Sequence, residues 1–335
     1  MSVITDTLDG VTLSVPRFWA NLVMFPLLAG AGADEAPDYL VLDEALRRQT
    51  ARVTEISEGG SVPELAFEND NDLPVLLLDG EELVGALQNR VLNSTVLVGG
   101  KRRLNIPVSC VEHGRWRYNS SEFASADRAL FAKARAKKMQ RVSESLRESG
   151  SYRSDQSEVW DDIAEKSAAF HTLSPTAAMG DVFEQERPRL ETFVTALQPV
   201  ATQRGALFAI DGQLVGMELF DCPQTFAHYL PKLVRSYAMD AVETRAPQTL
   251  LPEAAVAQAF LCEAGRSKVD AFAAVGEGED LRLDGAALVG SALVHQGRVV
   301  HLAAFRADAR RGPRTQRSAL RRRLNPPAGD AREIL

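Results

Sequence analysis

Between residues 10 and 118 the apolar residues come in short runs: VTLSV, NLVMFPLL, ARVTEI, PELAFE, PVLLL, ELVGAL, STVLV, NIPVSCVE and RWRY, each broken by turn-forming residues. Runs of this length, bounded by Gly, Pro, Asn and Asp, specify strands rather than helices. One turn recurs three times, in DGEELVG (79–85), DGQLVG (211–216) and DGAALVG (284–290). Asp-Gly between apolar runs is the strongest short hairpin signal, because a type I′ turn needs positive φ at both central residues. Each copy is therefore expected to be a strand segment entered through a tight turn, with Asp79-Gly80 and Asp211-Gly212 at hairpin tips. The uneven spacing excludes a solenoid or propeller, and it leaves duplication and convergence on good hairpin chemistry both open.

Helical periodicity interrupts this pattern near Leu42 to Arg48 and replaces it after residue 118. The stretch from Ala126 to Gly150 can run as a helix, and six basic residues between Arg128 and Arg141 with no acid among them predict an exposed basic face. The next segment puts Val159, Ile163, Ser167 and Phe170 on one stripe, with Ser154 or Asp155 as N-cap. The one after it starts at a Ser-Pro entry signal and should break at Pro188 into two pieces. Strand pattern returns at Gly205. Two helices then follow, the first capped by Asp221 with Pro223 in its opening turn, the second running from Pro252 to just before Gly265. The last strands, from Leu288 to Phe305, are apolar at both alternating sets of positions if the turn is Gln296-Gly297, so both faces should be covered. The fold class is α+β, with strand-rich N-terminal and C-terminal parts, a helical middle, and sheets partly covered by helices. The parts are 1–118, 119–204 and 205–306, the last an α+β part completing a shared core, followed by a basic tail, 307–335, that reads as disordered.

Composition narrows the setting. With 45% hydrophobic and 25% charged residues the chain has the balance of a soluble globular protein. Its longest uncharged stretch, Phe18 to Ala33, holds 16 residues including Asn21 and Pro26, too short for a bilayer span. The acidic N-terminus is the reverse of a signal peptide, so no membrane association and a cytoplasmic location are expected. Cys110, Cys222 and Cys262 are far apart and include no C-x-x-C pair, which argues for buried thiols rather than disulfides or zinc. No metal motif is present, and no cofactor is specified. Net charge is −7, yet Arg310 to Arg323 contains seven arginines and no acid, so the rest carries about −14. An acidic body argues against nucleic-acid binding except through the tail. Nothing in the sequence fixes the oligomeric state.

The chemistry-bearing residues gather at the end of the first repeat. On a strand from Glu81, alternation places Glu82, Val84, Ala86, Gln88 and Arg90 on one face, with Gln88 and Arg90 one pleat repeat, about 7 Å, apart. A guanidinium fork beside an amide can grip a phosphate or carboxylate, and Asn89 and Asn93 extend the polar patch. These groups can equally satisfy one another and the sheet edge. In IPVSCVEHGRWRY, with His113-Gly114 as a turn, Glu112 and Arg115 face each other and can form a cross-strand ion pair. Alternatively Glu112 is a general acid or base, Arg115 orients phosphate and Trp116 offers an aromatic face. Glu218 is a weaker acid-base candidate or a residue of the sheet rim. Lys232, Arg235 and Tyr237 form an anion grip or a solvated helix end, and His301 is expected to be a satisfied core histidine.

The stretches LLLDGEELVGALQNRVLNSTVLV, IPVSCVEHGRW, SDQSEVWDDI, LPKLVRSYAMDA and GSALVHQGRVVHLAAF together resemble one bacterial family, the ARG and rhodanese-phosphatase-superfamily-associated proteins, over roughly residues 10 to 306. The matches used are Gln88-Asn89-Arg90, Cys110-Val111-Glu112 and Gly114-Arg115-Trp116. The resemblance implies a setting in NAD and ADP-ribose metabolism and carries no reaction with it. The expected function is an enzyme or enzyme partner acting on an ADP-ribose-like or other phosphorylated nucleotide metabolite, with Glu112 catalytic and Gln88, Asn89, Arg90, Asn93, Arg115 and Trp116 binding the ligand. A non-catalytic ligand-sensing or protein-interaction module is the alternative, and a protein whose polar strand ends serve only sheet edges is a third possibility. Pairing of Glu112 with Arg115 alone would favour the last two.

Overall fold

The computed structural model describes residues 2–30, 36–57, 61, 63–244, 247 and 249–307. The basic tail expected at 307–335 therefore lies outside the described residues, apart from Ala307. A short helix, α1 (Val3–Asp9), absent from the sequence reading, opens the chain, its first turn capped by the Ser2 hydroxyl. Strands β1 (Val11–Leu13), β2 (Arg17–Trp19), β3 (Leu22–Ala29) and β4 (Leu40–Val41) lead to α2 (Leu42–Arg47). Then come β5 (Ala51–Thr54), β6 (Glu64–Asn69), β7 (Val75–Leu77), β8 (Glu81–Gly85), β9 (Arg90–Leu92), β10 (Val96–Val98), β11 (Arg102–Cys110) and β12 (Phe123–Ala129). The helical middle is α3 (Ala132–Ser149), α4 (Gln156–Ala169) and α5 (Met179–Ala196). The C-terminal part holds β13 (Gln203–Ile210), β14 (Gln213–Phe220), α6 (Pro223–Glu243), α7 (Ala254–Arg266), β15 (Lys268–Ala273), β16 (Glu279–Asp284), β17 (Leu288–His295) and β18 (Arg298–Arg306). This is an α+β fold with strand-rich ends and a helical middle.

The largest sheet is antiparallel, in the order β1-β3-β13-β14-β18-β17-β16-β15, with β2 added on β3. Because β17 and β18 are apolar at successive positions, both faces of the sheet are buried along these two strands. Leu293, Val300, Ala303 and Phe305 enter one core, together with Phe226, Leu233 and Tyr237 of α6. Val299, Leu302 and Ala304 enter another, sealed by Ile4 and Leu8 of α1 and by Phe260 and Leu261 of α7. The turn at Gln296-Gly297 has φ of 51° and 75°, and the one at Asp211-Gly212 has 49° and 77°, both hairpin tips as expected. The third copy closes β16 onto β17, with Asp284 opposite Val289. The first copy is different. Asp79-Gly80 makes a tight turn, Glu81 N–H donating to Leu78 O at 3.1 Å, but it joins strands of two different sheets rather than forming a hairpin tip. Only Gly80 has positive φ there, at 80°.

A three-stranded sheet, β10-β7-β4, divides two cores: Val75, Leu77, Val96 and Val98 face one side, Leu76 and Leu97 the other. On the former side lies a six-stranded sheet, β12-β8-β9-β11-β6-β5, that curls until its edge strands β5 and β12 approach each other. Val53, Leu65, Leu83, Leu92, Ile106 and Phe123 fill the inside of this curl. It is the scaffold on which the candidate site is built.

The helical middle corrects two expectations. The basic segment does not present an exposed face: it is β-structured to Ala129, and within α3 both Arg135 and Lys138 are buried. Their partners, Asp79 in the turn before β8 and Glu218 on β14, lie 56 and 83 residues from Arg135 in sequence. Arg128 on β12 is also buried, against Glu82, while Lys133, Lys137 and Arg141 pair with Glu165, with Asp162 and with Glu144 and Glu158. Secondly, α5 continues through Pro188 as one helix, the proline lying on its exposed side. In α4 the Asp155 carboxylate caps the Ser157 and Glu158 N–H groups, and Val159 and Ile163 are buried as the stripe predicts. Asp221 does not cap α6, where Cys222 occupies the N-cap and its side chain makes no capping hydrogen bond. Its carboxylate accepts the Tyr39 hydroxyl at 2.5 Å and pairs with Arg298 instead. Cys110 and Cys222 are buried, whereas Cys262 is exposed, contrary to expectation.

Candidate functional site

DGEELVGALQNR does not form one strand. Its apolar half is β8; at Gly85 and Ala86 the φ angles become 143° and 40°, and the chain turns through residues 86–89 to return as β9, with Leu83 opposite Arg90. Gly85 is required there, since a Cβ would lie 2.6 Å from the Glu122 carbonyl oxygen and 2.7 Å from the Ser120 hydroxyl. Gln88 and Asn89 thus occupy a turn, and Arg90 begins the next strand. The turn still unites the residues that alternation was expected to align: Arg90 Nη1 donates to Gln88 Oε1 at 3.1 Å and to the Asn89 carbonyl at 3.4 Å. Gln88, Asn89 and Arg90 are all buried.

A second loop locks this turn. Glu112 follows β11, and its Oε2 accepts Arg115 at 2.7 Å and the Asn89 N–H at 3.2 Å, while Oε1 accepts the Thr176 hydroxyl at 2.9 Å. Arg115 also donates to Ala86 O at 2.6 Å, Asn89 Oδ1 at 3.0 Å and Gly85 O at 3.3 Å. Glu112 and Arg115 therefore pair with each other, but not across a hairpin: Glu112 is bridged to Ala178. Burial pushes the Glu112 carboxyl upward, yet the bonds from Arg115, Thr176 and Asn89 outweigh it and hold the group below the ordinary glutamate value. It is an ionised carboxylate with donors on both oxygens.

Arg90 is the unsaturated member. Its guanidinium is fully buried, yet Nε and Nη2 have no hydrogen-bond partner among the described residues. No carboxylate lies within ion-pairing distance of it among the described residues. Burial lowers its affinity for the proton, a tendency opposed by Cys110 and Glu55. Trp116, half exposed, lies over the guanidinium with 5.8 Å from the ring centroid to Cζ. Cys110, opposite Arg90 on β11, donates its thiol to Gln88 Oε1 at 3.0 Å, and burial raises the thiol's pKa.

Glu55 was missed in the sequence. It follows β5 by one residue, Oε1 accepts the Leu87 N–H at 3.3 Å, and Oε2 is buried without a hydrogen-bond partner among the described residues. The available signal was the alternation in ARVTEI, which puts a carboxylate in step with the inward Val53. Asn93, by contrast, is separated from Arg90 by the sheet. It accepts the Ser109 hydroxyl at 2.7 Å and donates to Tyr152 O at 3.0 Å. Ser109 lines a cavity of about 210 Å³ with Ser154 and Gln156.

The other charged candidates are structural. Glu218 is not at a rim but fully buried, with Arg135 at 2.6 and 3.3 Å, Tyr237 at 3.2 Å and His301 Nε2 at 3.0 Å. Burial raises its carboxyl and these partners lower it further, leaving it below its ordinary value. His301 is satisfied on both nitrogens, Nδ1 lying 2.8 Å from the Thr95 hydroxyl. Lys232 does not end a helix in solvent. It is buried within α6, bonded to Asp43 and Ser125 at 2.9 Å and to Glu81. Among the described residues, no His, Cys, Asp and Glu group is arranged to hold a metal, and no helix is long and apolar enough to cross a membrane.

Compared with known proteins, the chain matches the family described as the ARG and rhodanese-phosphatase-superfamily-associated protein domain over residues 10–305, and it belongs to that family. The family's link to ADP-ribosylglycohydrolases suggests a role related to NAD and ADP-ribose metabolism. No curated protein and no solved structure matches the chain.

Proposed function

We propose that this member of the ARG and rhodanese-phosphatase-superfamily-associated family binds a phosphorylated nucleotide metabolite of the ADP-ribose type at the turn 86–90. The observation that carries this reading is the buried Arg90 guanidinium with two nitrogens unpartnered. A buried charge is costly unless paired and hydrogen-bonded, and an arginine presents a planar fork matched to paired ligand oxygens. Gln88 fixes the fork from one side. Trp116 covers it and offers an exposed face on which a nucleobase can stack. The Glu112–Arg115 pair clamps the turn that carries these groups.

Glu112 has a positioning role in this reading. A general acid must hold a proton, and this carboxylate is kept ionised; a general base needs a free lone pair aimed at the substrate, and both oxygens here are engaged by protein donors. The geometry therefore supports binding better than turnover, as in a ligand-sensing module or an enzyme partner. Calorimetric titration of the full chain with ADP-ribose tests the proposal. Binding should be saturable, and Arg90→Met should weaken it about ten- to a hundredfold, the loss expected for charge-assisted hydrogen bonds. Unchanged affinity in Arg90→Met would place the ligand elsewhere.

A further inference from the structure

We propose that the cavity between α3, the C-terminal end of α6 and the end of the largest sheet binds a compact amphipathic anion, a carboxylate on a medium-chain or aromatic body. The cavity holds about 380 Å³, a size at which small-molecule sites occur. It shares no lining residue with the turn 86–90, so it stands apart from the nucleotide reading proposed there. Its floor is apolar: Ala132 and Ala136 of α3, Ile210 at the end of β13, Leu214 and Val215 of β14, and Val289 of β17. Ala136, Ile210 and Val215 are only partly buried, and the contact area they keep is gained by a hydrocarbon chain or ring. The sugar and phosphates of a nucleotide gain nothing from such a floor.

The charged residues of the lining set the sign of the ligand. Asp240 and Glu243 are both claimed by the protein: the buried Lys166 ammonium bonds Asp240 Oδ1 at 2.6 Å and also Glu243, and Asp240 Oδ2 accepts the Lys133 N–H at 2.8 Å. Lys137 is likewise bonded to Asp162, and the Gln140 amide donates to Glu144 at 3.1 Å. The Lys133 ammonium and the Arg306 guanidinium are not claimed in this way. They meet Glu165 and Glu263 only at 3.5 and 4.0 Å, with no hydrogen bond among the described residues, and about half of each basic side chain is exposed. Exposed pairs of this kind contribute little, so an incoming carboxylate competes with them at small cost and can bond the guanidinium fork through both oxygens. The first turn of α3 reinforces the preference, since Phe131 at its N-cap makes no side-chain bond and an 18-residue helix carries partial positive charge at its start. The charge left unclaimed around the cavity is positive, while an amine would find both acids taken.

Calorimetric titration of the full wild-type chain with octanoate, hexanoate, 1-octanol and acetate tests the proposal. Octanoate should bind saturably, and hexanoate about tenfold more weakly, because each buried methylene contributes about fourfold. Octanol, which lacks the charge, should bind about tenfold or more weakly than octanoate, and acetate should not bind. Combining Lys133→Glu with Arg306→Glu, two partly exposed positions, should weaken octanoate by about tenfold or more and leave octanol unchanged. Ala136→Trp, which fills the cavity from α3, should abolish octanoate binding. Absence of saturable octanoate binding to the wild type would overturn the proposal. Octanol binding as tightly as octanoate would also overturn it and make the cavity a seat for an uncharged apolar group, and undiminished binding in Ala136→Trp would place the carboxylate elsewhere. The wild-type series requires no substitution, so misfolding of a variant would not rescue the inference.

Discussion

Two arginines, Arg90 and Arg135, are both fully buried, and they are buried in opposite ways. Arg135 on α3 meets Glu218 through two nitrogens, lies 3.6 Å from Asp79, and packs its guanidinium over Phe305. Burial works against its charge, but Glu218 and Asp79 more than compensate, and its proton is held more firmly than usual. Among the described residues Arg90 has no acid within ion-pairing distance and keeps one edge unbonded, and burial pushes it the other way. The first is part of the frame: Asp79 precedes β8, Glu218 lies on β14 and His301 on β18, so one charge cluster ties the turn before the six-stranded sheet to the largest sheet. The second is a frame element left open. Among the described residues Arg135 Nε also lacks a hydrogen bond, but it faces Asp79 at 3.6 Å; burial alone does not distinguish structure from function, whereas the presence or absence of a paired acid does.

The comparison is broken or sharpened first through stability. Arg135→Met should cost about 3–5 kcal/mol, because it strands Glu218 without its cation. Arg90→Met breaks no ion pair among the described residues, and should leave stability within about 1 kcal/mol or raise it, since an incompletely bonded charge is replaced by a chain of similar reach. Urea denaturation of both variants checks this. Equal losses would show that Arg90 is as structural as Arg135.

Acidification separates the regions less sharply. Glu112 and Glu218 both have folded values below the ordinary one. Their contributions are therefore fully present above the unfolded glutamate value of about 4.3 and are lost as pH falls through the lower folded values. Glu112→Gln should be less stable than wild type at pH 7, and the gap should narrow as pH drops below about 4. A gap independent of pH would mean that the carboxylate's charge is not what clamps the turn. The smallest effect is expected from an exposed arginine with many bonds. Arg187 reaches Glu184 and Asp127 from the surface, and Arg187→Ala should change stability by no more than about 1 kcal/mol in chemical denaturation. A larger loss would show that bond number, rather than burial, sets the scale.

How much of this could be read from the chain depended on whether the signal was local. The strands β17 and β18 were legible because their turn and their two apolar faces are contiguous in sequence. The α4 cap and stripe were legible for the same reason. The buried face of α3 was not, because a lysine or arginine awaiting Asp79 or Glu218 looks like any solvated one until the chain has folded. The turn at 86–89 carries no Asn-Gly or Asp-Gly signature: Ala86 takes a positive φ because the surrounding structure holds it there, which no propensity announces. The grouping of Gln88, Arg90, Glu112, Arg115 and Trp116 was nevertheless anticipated, though for the wrong geometric reason, a pleat instead of a turn. Glu55 escaped because its role depends on closure of the six-stranded sheet, and Asn93 was misplaced because β9 puts it on the other face.

The central claim is that Arg90 is buried for a ligand and Arg135 for the fold, and one titration tests it most directly. ADP-ribose is titrated into the wild type and Arg90→Met at equal concentration, with the melting temperature of each measured in the same samples. The account predicts saturable binding to the wild type, affinity lower by about ten- to a hundredfold in Arg90→Met, and a melting temperature for the variant equal to or above that of the wild type without ligand. A variant that melts far below the wild type, or that binds ADP-ribose as tightly, would contradict it.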